Sequence, residues 1–367
     1  MSKILILNTH GIGDVILTLP LLNSLREGFK NDQIDVVVKS TLESDIVMAS
    51  TDIDKTLLFY RESMRFKDYI VFLAKLVGQY KMLIATSNIN HRGANILGKF
   101  CFIKHRVGHN YKNNCYSIKV PFDHPHKVDN NLEIAKILKC PIHNRFPQVN
   151  IPQSCQFHLS FSNIKKRPVV AIQLGTGRLI AKERFNFSVE TFKELPLSFF
   201  IKLIKYFKSK VFWVFVGGKR EEILYQALKK HLSKSDDIHN FIGRSNILQT
   251  ASILQQVDML IAADSGLSHL AAAVNTHVLA IFGPTNPEIT GPVGKHVITF
   301  CGHCTKAPCY PDSIYHCSHF EKDPLLPTRL ITKCMMDVDI NQVTHMITNK
   351  LAERYPSFKK ISLAPNS

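Results

Sequence analysis

The chain has 367 residues, of which 45% are hydrophobic, and a formal net charge of +17. This length is typical of two α/β domains, and no apolar run approaches the roughly 20 residues that a membrane-spanning helix needs. No signal peptide follows Met1, so we expect a cytoplasmic protein whose nine cysteines are reduced thiols.

Short β-branched runs alternate with amphipathic stretches in the first half of the chain. Helices are expected over 15–29, 68–79 and 91–101, and strands over 3–8, 35–40, 56–60 and 81–87. This alternation predicts parallel βαβ units.

A proline-rich segment with weak periodicity, residues 141–168, is interpreted as a linker. The pattern then restarts with strands expected over 168–174, 211–218, 257–264 and 278–283. A helix is expected within 186–207, with Pro196 near its start or at a break, and another over 340–355. Two such halves predict a cleft between them that holds ligands.

The positive charge is spread over the chain. Residues 1–160 carry a surplus of 7 basic residues and the remainder a surplus of 10. Such a field suits nucleic acid, an acidic membrane or a phosphorylated substrate. A lysine-rich composition without any such partner is the alternative interpretation.

A glycine turn with an acidic residue, Gly11-Ile12-Gly13-Asp14, follows the first strand. The turn lacks the third glycine of a dinucleotide fingerprint and the Lys-Ser/Thr of a phosphate loop. Asp14 is either a helix cap with a favourable dipole contact or a general base at the mouth of the cleft.

A second strand-to-helix turn, Asp264-Ser265-Gly266, precedes a helix that begins near His269. The free N–H groups at a helix start bind anions, and glycine lets a phosphate approach the backbone closely. An ordinary capped helix is the alternative, but the turn-dense loop FGPTNP that follows the next strand favours a ligand site.

The stretches IGDVILTLPLLNSLRE and ADSGLSHLAAAVNTHVLAIFGPTNP, about 250 residues apart, together resemble glycosyltransferase family 9, the lipopolysaccharide heptosyltransferases. The resemblance covers nearly the whole chain. It implies the GT-B type of α/β fold, with two Rossmann-like domains facing each other across a cleft. Residues 1–160 would bind the acceptor, and residues 161–367, with a C-terminal helix, would bind the nucleotide sugar.

The resemblance also implies roles for individual residues. The catalytic aspartate of the family falls on Asp14. The residues that would contact the nucleotide sugar are Thr176, Gly177, Glu221, Arg244, Asp264, Ser265, Gly266 and His269. Among these, Glu221 would hold the ribose, and the backbone near Arg244 would frame the adenine.

A lysine that neutralises the leaving diphosphate belongs to a Lys-x-Trp motif in the family. Here the stretch reads Ala181-Lys182-Glu183-Arg184-Phe185, one residue longer than that motif requires. Lys182 is the predicted catalytic lysine, with Arg184 as its substitute, and a solvated charged loop is the alternative.

Basic residues of the first half are predicted to bind the anionic acceptor. Arg61, Arg65 and Lys67 follow a strand end, and Arg106 lies in an Arg-Val-Gly stretch similar to one in the family. The guanidinium fork suits carboxylates and phosphates. Individually, each residue is better explained as a surface charge, and only the set within one domain favours acceptor binding.

Five cysteines lie near the carboxyl terminus, at positions 301, 304, 309, 317 and 334, and His303, His316 and His319 lie among them. They suggest zinc, but only one C-x2-C pair is present, whereas zinc knuckles usually have two. We therefore expect buried or paired thiols and no metal at these cysteines, and the resemblance implies catalysis without a metal or a cofactor. Many members of the family have a similar cysteine-rich stretch, followed by a Cys-Met pair that corresponds to Cys334-Met335 here.

The resemblance implies an inverting glycosyltransferase that moves a heptose from ADP-heptose to the inner core of lipopolysaccharide. It would act as a peripheral protein at the cytoplasmic surface of the inner membrane and would not bind nucleic acid. The alternatives are a GT-B enzyme that uses UDP- or GDP-sugars, or a basic nucleic-acid-binding protein.

Overall fold

The structure, a computed structural model, describes residues 2–60, 64–87, 89–110, 116–159, 167–176, 192–233, 237–309 and 320–360. The chain forms two compact units, Met1–Ser154 and Cys155–Ser367. The unit boundary lies inside the predicted linker. Within the described residues, no helix is both long and apolar enough to cross a bilayer.

The first unit is a six-stranded sheet flanked by helices. Its strands are β1 (Lys3–Asn8), β2 (Gln33–Val38), β3 (Lys55–Leu58), β4 (Met82–Ala85), β5 (His105–His109) and β6 (Ile118–Val120). Its helices are α1 (Ile12–Gly28), α2 (Thr41–Ser50), α3 (Phe66–Ala74), α4 (His91–Phe100) and α5 (Lys127–Ile137). All pairings are parallel, in the order β3-β2-β1-β4-β5-β6.

The second unit repeats this architecture. Its main sheet contains β7 (Val169–Ile172), β8 (Phe212–Phe215), β9 (Ile238–Asn240), β10 (Met259–Ala263), β11 (His277–Phe282) and β12 (Val297–Cys301). The strand order is β12-β11-β10-β7-β8-β9, again all parallel. Strands β13 (Phe320–Asp323) and β14 (Leu326–Thr332) form a separate antiparallel hairpin.

The helices of the second unit are α6 (Leu197–Phe207), α7 (Glu222–Lys229), α8 (Ile247–Gln255), α9 (Gly266–Ala273), α10 (Pro287–Thr290), α11 (Lys333–Met336) and α12 (Ile340–Ala352). Pro196 is the N-cap of α6, as its fixed φ allows. Phe200 and Phe207 of this helix are fully buried beside Trp213 of β8, and they form the centre of the core.

Several boundaries differ from the predicted ones by a few residues, and two of these differences have a clear cause or consequence. The helix expected over 68–79 ends at Ala74, and Gly78 has a φ of 70°, a left-handed conformation that a helix cannot contain. The helix expected from residue 15 begins at Ile12, so Asp14 lies in its first turn and the interpretation of Asp14 as the cap is wrong.

Each main sheet reverses its strand order once. In the first sheet the reversal lies between β1 and β4, and in the second between β7 and β10. Ligands of open α/β sheets bind at the carboxyl ends of the strands at such a point. The predicted residues Asp14 and Asp264 follow β1 and β10.

Candidate functional site

Asp14 lies in the first turn of α1, just beyond the carboxyl end of β1. Gly11 is the N-cap, in an extended conformation and without a side chain that could cap the helix. The positive end of α1 therefore favours a negative charge on Asp14. The side chain of Asp14 is 21% exposed, so its carboxylate is accessible from solvent.

Lys127 forms an ion pair with Asp14, with 3.0 Å between Nζ and Oδ1. Lys127 is the first residue of α5, where the helix dipole disfavours a cation, and the carboxylate offsets that cost. Packing of α5 against α1 brings the two side chains together, and Asn131 donates to the Thr18 hydroxyl at 3.2 Å across the same interface. Sequence reasoning missed Lys127, which is 113 residues away from Asp14.

The predicted acceptor residues are found in two settings. Arg65 and Lys67 are exposed at the start of α3. Arg106 is half-buried, and its guanidinium donates to Asn95 at 3.2 Å and to the Ile103 carbonyl at 2.7 Å. The fork of Arg106 is therefore engaged in packing β5 against α4. Arg61 lies outside the described residues.

Gln173 and Ser265 lie at the strand reversal of the second sheet, after β7 and β10. Ser265 is the N-cap of α9, but its side chain makes no capping bond. Its hydroxyl instead donates to Gln173 at 2.5 Å. The first N–H groups of α9 are therefore not capped by Ser265, and Gly266 and His269 follow within the same first turn. A helix start of this kind is suited to a phosphate.

Glu221 follows the glycine pair after β8 and is almost fully buried. Its carboxylate accepts from Gln173 at 3.3 Å, from the Gly175 amide at 3.1 Å and from the Gly218 amide at 3.4 Å. Burial raises its pKa to about 7, and these hydrogen bonds oppose the rise. Gly217 is required here, because a Cβ would lie 2.4 Å from the carboxylate.

Asp264 is buried at the end of β10 and is held by two donors. Lys193 Nζ lies 2.5 Å from its carboxylate and the Thr285 hydroxyl lies 2.8 Å away. Burial alone would raise the pKa of Asp264, but Lys193, His269 and Thr285 hold it below its usual value. Asp264 is therefore ionised, and it fixes Lys193 beside the start of α9.

Lys193 was missed by sequence reasoning, which selected Lys182. Lys193-Glu194-Leu195 has the spacing of a Lys-x-Trp motif with leucine in place of tryptophan, and it precedes Pro196 at the start of α6. That spacing before a helix start was the signal that could have identified it. Lys182, Gly177 and Arg184 lie outside the described residues.

A buried ion network holds Thr176 in place. The amide and hydroxyl of Thr176 donate to Glu194 at 2.8 and 3.2 Å. Glu194 and Asp323 both accept from Arg329, at 2.8 and 2.6 Å. The network ties the loop after β7 to the β13–β14 hairpin, and through Glu194 it fixes the neighbouring Lys193.

Arg244 is exposed in the turn after β9. The preceding Gly243 donates its amide to the Gly217 carbonyl at 3.0 Å. The turn that contains Arg244 is thereby joined to the glycine loop that holds Glu221. The predicted ribose and adenine residues therefore lie on two loops that are hydrogen-bonded to each other.

Cysteines of the carboxyl-terminal stretch lie in different surroundings. Cys334 is buried, Cys301 is exposed, and Cys304 and Cys309 are partly buried, all as free thiols. Cys304 lines an open cavity of about 520 Å³ with His303, Thr305 and Lys333. The part of the chain that the structure describes contains no cluster of three metal-ligating side chains. Cys317, His316 and His319 lie outside it.

Comparisons with known proteins agree on one family. Residues 79–317 match glycosyltransferase family 9 (heptosyltransferase). The chain is 22% identical over 319 residues to lipooligosaccharide heptosyltransferase 2 of Haemophilus ducreyi, covering 81% of this chain and 87% of that protein.

Solved structures show the same fold. ADP-heptose lipopolysaccharide heptosyltransferase II of E. coli is similar with a TM-score of 0.67 and 17% identity, covering 96% of this chain and 99% of that one. E. coli heptosyltransferase WaaC with ADP gives a TM-score of 0.66 at 16% identity, covering 95% and 99%. The predicted GT-B fold is thereby confirmed.

Proposed function

The chain belongs to glycosyltransferase family 9, and on that premise we propose that it transfers a heptose from ADP-heptose to the inner core of lipopolysaccharide. The observation that carries the proposal is the anion-receptive start of α9 beside Lys193, at the strand reversal of a sheet within the matched residues. Relatives named as lipooligosaccharide heptosyltransferases support this choice of donor and acceptor.

We propose that the second unit binds the ADP-sugar. The diphosphate lies against the first N–H groups of α9, with Ser265, Gly266 and His269 around it, and Thr176 contacts it from the loop after β7. Glu221 and the turn at Arg244 hold the ribose and the adenine. Lys193 is a candidate for neutralising the leaving diphosphate, in addition to Lys182 and Arg184.

Asp14 acts as the general base of the reaction. The acceptor hydroxyl oxygen attacks the anomeric carbon of the heptose while its proton passes to the Asp14 carboxylate. The bond from that carbon to the diphosphate oxygen breaks, and ADP leaves with the electron pair. Positive groups beside the diphosphate stabilise the charge that develops on it. No residue role in this scheme calls for a metal.

Lys127 holds the Asp14 carboxylate in its acceptor-facing position. An ion pair with 3.0 Å between the charged atoms limits the rotamers of Asp14. General-base catalysis requires the base to lie within hydrogen-bond reach of the proton that it abstracts. Arg61, Arg65, Lys67 and Arg106 are the proposed acceptor-binding residues, of which Arg65 and Lys67 are exposed.

The acceptor is a lipid, so we also propose that the enzyme works as a peripheral protein at the cytoplasmic surface of the inner membrane. The basic composition supports this location. Anionic lipids attract nearby Lys and Arg side chains by about 1 kcal/mol each.

Incubation of the purified protein with ADP-heptose and lipopolysaccharide core that lacks heptose tests the proposal. We expect release of ADP and a gain of one heptose by the core, read by mass spectrometry. ADP should compete with the donor, and UDP and GDP should not. Competition by UDP or GDP, with a sugar other than heptose transferred, would instead assign the enzyme to the other GT-B activity.

A further inference from the structure

Helices α3 and α4 cover the same face of the first sheet. The chain crosses from β3 through α3 to β4 and from β4 through α4 to β5 in the same direction along the sheet, and right-handed crossovers put both helices on one side. Phe72 of α3 and Leu97 of α4 pack against one buried cluster. The Gly78 amide also donates to the Cys101 carbonyl at 3.1 Å, which joins the two carboxyl-terminal ends.

This layer exposes an unusual amount of apolar surface. Helix α3 has no buried residue, although it is strongly hydrophobic. We define the α3–α4 face by its seven exposed apolar side chains: Phe66, Tyr69, Ile70, Val71, Ile96, Phe100 and Phe102. The spacing of Phe66, Tyr69 and Ile70, and of Ile96 and Phe100, places each group on one side of its helix. Exposed apolar side chains grouped on neighbouring helices in this way are typical of an interaction surface.

Phe102 has a conformation that neither backbone preference nor packing explains. It follows the C-cap of α4 with a φ of 58°, at the position where glycine or asparagine usually ends a helix. A bulky residue in this left-handed region is strained. Phe102 is also 80% exposed, so burial within the protein does not offset the strain. The contacts within the protein therefore give no reason for a phenylalanine at this position.

The surroundings of the α3–α4 face are basic. Residues 64–105 contain seven Lys and Arg and a single acidic residue, Asp68. All seven basic residues are exposed: Arg65, Lys67, Lys75, Lys81, Arg92, Lys99 and Lys104. A second copy of this face would present the same positive charge and be repelled. An anionic bilayer complements both the charge and the apolar side chains.

We infer that the α3–α4 face docks on an anionic membrane surface, with Phe102, Phe100 and Ile70 inserted at the headgroup level. The inference rests on the proposed function in one respect, since a lipid acceptor gives the enzyme a reason to work at a bilayer. The diffuse positive charge attracts the protein to the membrane without orienting it. The α3–α4 face would orient it so that the first unit contacts the membrane.

Sedimentation with vesicles of phosphatidylglycerol and phosphatidylethanolamine tests this inference. Phe102→Asn should weaken vesicle binding about tenfold, because the variant no longer buries an aromatic side chain at the membrane surface. The same variant should leave the thermal midpoint unchanged or raise it, because asparagine tolerates the left-handed conformation. If Phe102 had only a structural role, its substitution would not weaken vesicle binding while the thermal midpoint stayed the same or rose.

Ile70→Ser with Phe100→Ser should weaken vesicle binding further, and raised salt should weaken binding of the wild type. Ile223→Ser and Ile289→Ser are matched controls, because both side chains are exposed apolar residues of the second unit. They should bind vesicles like the wild type. Binding of phosphatidylcholine vesicles as strong as that of the anionic ones would contradict the charge complementarity.

Unchanged vesicle binding by Phe102→Asn and by the Ile70 and Phe100 variant would overturn the inference. So would a wild-type dimer in sedimentation velocity that these substitutions dissociate, since the face would then bind a second copy. Transfer to a delipidated core oligosaccharide separates this inference from the proposed function. The Phe102 variant should retain this transfer. If the wild type showed no transfer, the proposed function would be wrong, but the result of the vesicle experiment would still stand.

Discussion

At the scale of single residues, the Asp14–Lys127 pair is the arrangement on which the proposed chemistry depends. Asp14→Asn removes the base but keeps the size of the side chain, so turnover should fall about 10²–10⁴-fold. Affinity for ADP should not change, because the proposed donor contacts lie in the second unit. Steady-state kinetics and calorimetry measure both quantities. Turnover near that of the wild type would reduce Asp14 to a group that stabilises the start of α1.

Lys127→Met keeps an apolar stem and removes the charge that orients Asp14. We expect turnover to fall about tenfold with little change in acceptor KM, since misplacement of a catalytic group slows the reaction step. Lys127→Arg should restore most of the turnover. Lys136→Met, in the exposed Lys136–Glu133 pair of the same helix, is the control. A raised acceptor KM at unchanged kcat would instead assign Lys127 to acceptor binding.

Glu221 makes stability depend on pH. Its pKa is raised from 4.5 to about 7 by burial, so the folded protein binds a proton more tightly than the unfolded chain. Protonated Glu221 therefore adds up to about 3 kcal/mol to the free energy of unfolding. This stabilisation is fully present below pH 4.5 and is lost as the pH rises to about 7.

Denaturant unfolding from pH 4.5 to pH 8 measures this dependence. The decline should be smaller in Glu221→Gln than in the wild type, and Glu222→Gln, a variant of the neighbouring carboxylate, should keep it. Equal declines in all three proteins would show that Glu221 titrates normally.

Local sequence patterns identified the residues that lie at a strand-to-helix turn. Asp14, Asp264 and Ser265 each follow a buried strand, and that signal is contained within about ten residues. Lys127 gave no local signal, and Lys193 gave only its spacing before a helix start, because they meet Asp14 and Asp264 across 113 and 71 residues of chain. Contacts between residues so far apart in the chain depend on how the strands and helices are arranged in space, and this arrangement cannot be read from a short sequence pattern.

At the scale of secondary-structure elements, α9 and the residues around its start form the proposed diphosphate site. Lys193→Ala removes the cation beside Asp264 and should weaken ADP binding about tenfold or more, since a charged hydrogen bond contributes about 1.5–3 kcal/mol. Lys202→Ala, at an exposed position of α6, should bind ADP normally. Calorimetry that finds unchanged ADP affinity for Lys193→Ala would remove Lys193 from the donor site.

Strands with an apolar run were mostly predicted, and several strands of mixed polar composition were missed. Strands β1, β2, β10 and β11 are buried runs of five or six residues and were identified. Strands β5, β6 and β9 have three to five residues and include histidine, arginine, lysine or asparagine. They lie at or next to an edge of their sheets, where a strand is less covered by neighbours and needs fewer apolar residues. Pairing with a neighbour, and not composition, makes them strands.

The cysteines between residues 301 and 334 are predicted not to bind a metal ion. We expect less than one-tenth of a metal ion per chain after purification under reducing conditions, since the sequence contains a single C-x2-C pair. Elemental analysis for zinc and iron measures the content. One ion per chain, together with unfolding on chelation, would show that Cys301, Cys304, Cys309 and Cys317 form a structural metal site.

At the scale of the whole molecule, the fold and the family were predictable because two distant motifs occur in the expected order. The two parallel sheets, each with one strand reversal, agree with that prediction. The α3–α4 face was not predictable in the same way. Exposure of Phe66 and Phe102 depends on how the helices pack, and an apolar residue in a helical pattern is ordinarily read as part of the core.

We propose that this enzyme adds a heptose to the lipopolysaccharide core. Mass spectrometry of the core oligosaccharide from a strain that lacks the enzyme, complemented with the wild type or with Asp14→Asn, tests it most directly. We expect the deletion strain to lack at least one heptose, the wild type to restore it, and Asp14→Asn to fail although it is expressed and binds ADP. A complete core in the deletion strain would contradict the claim.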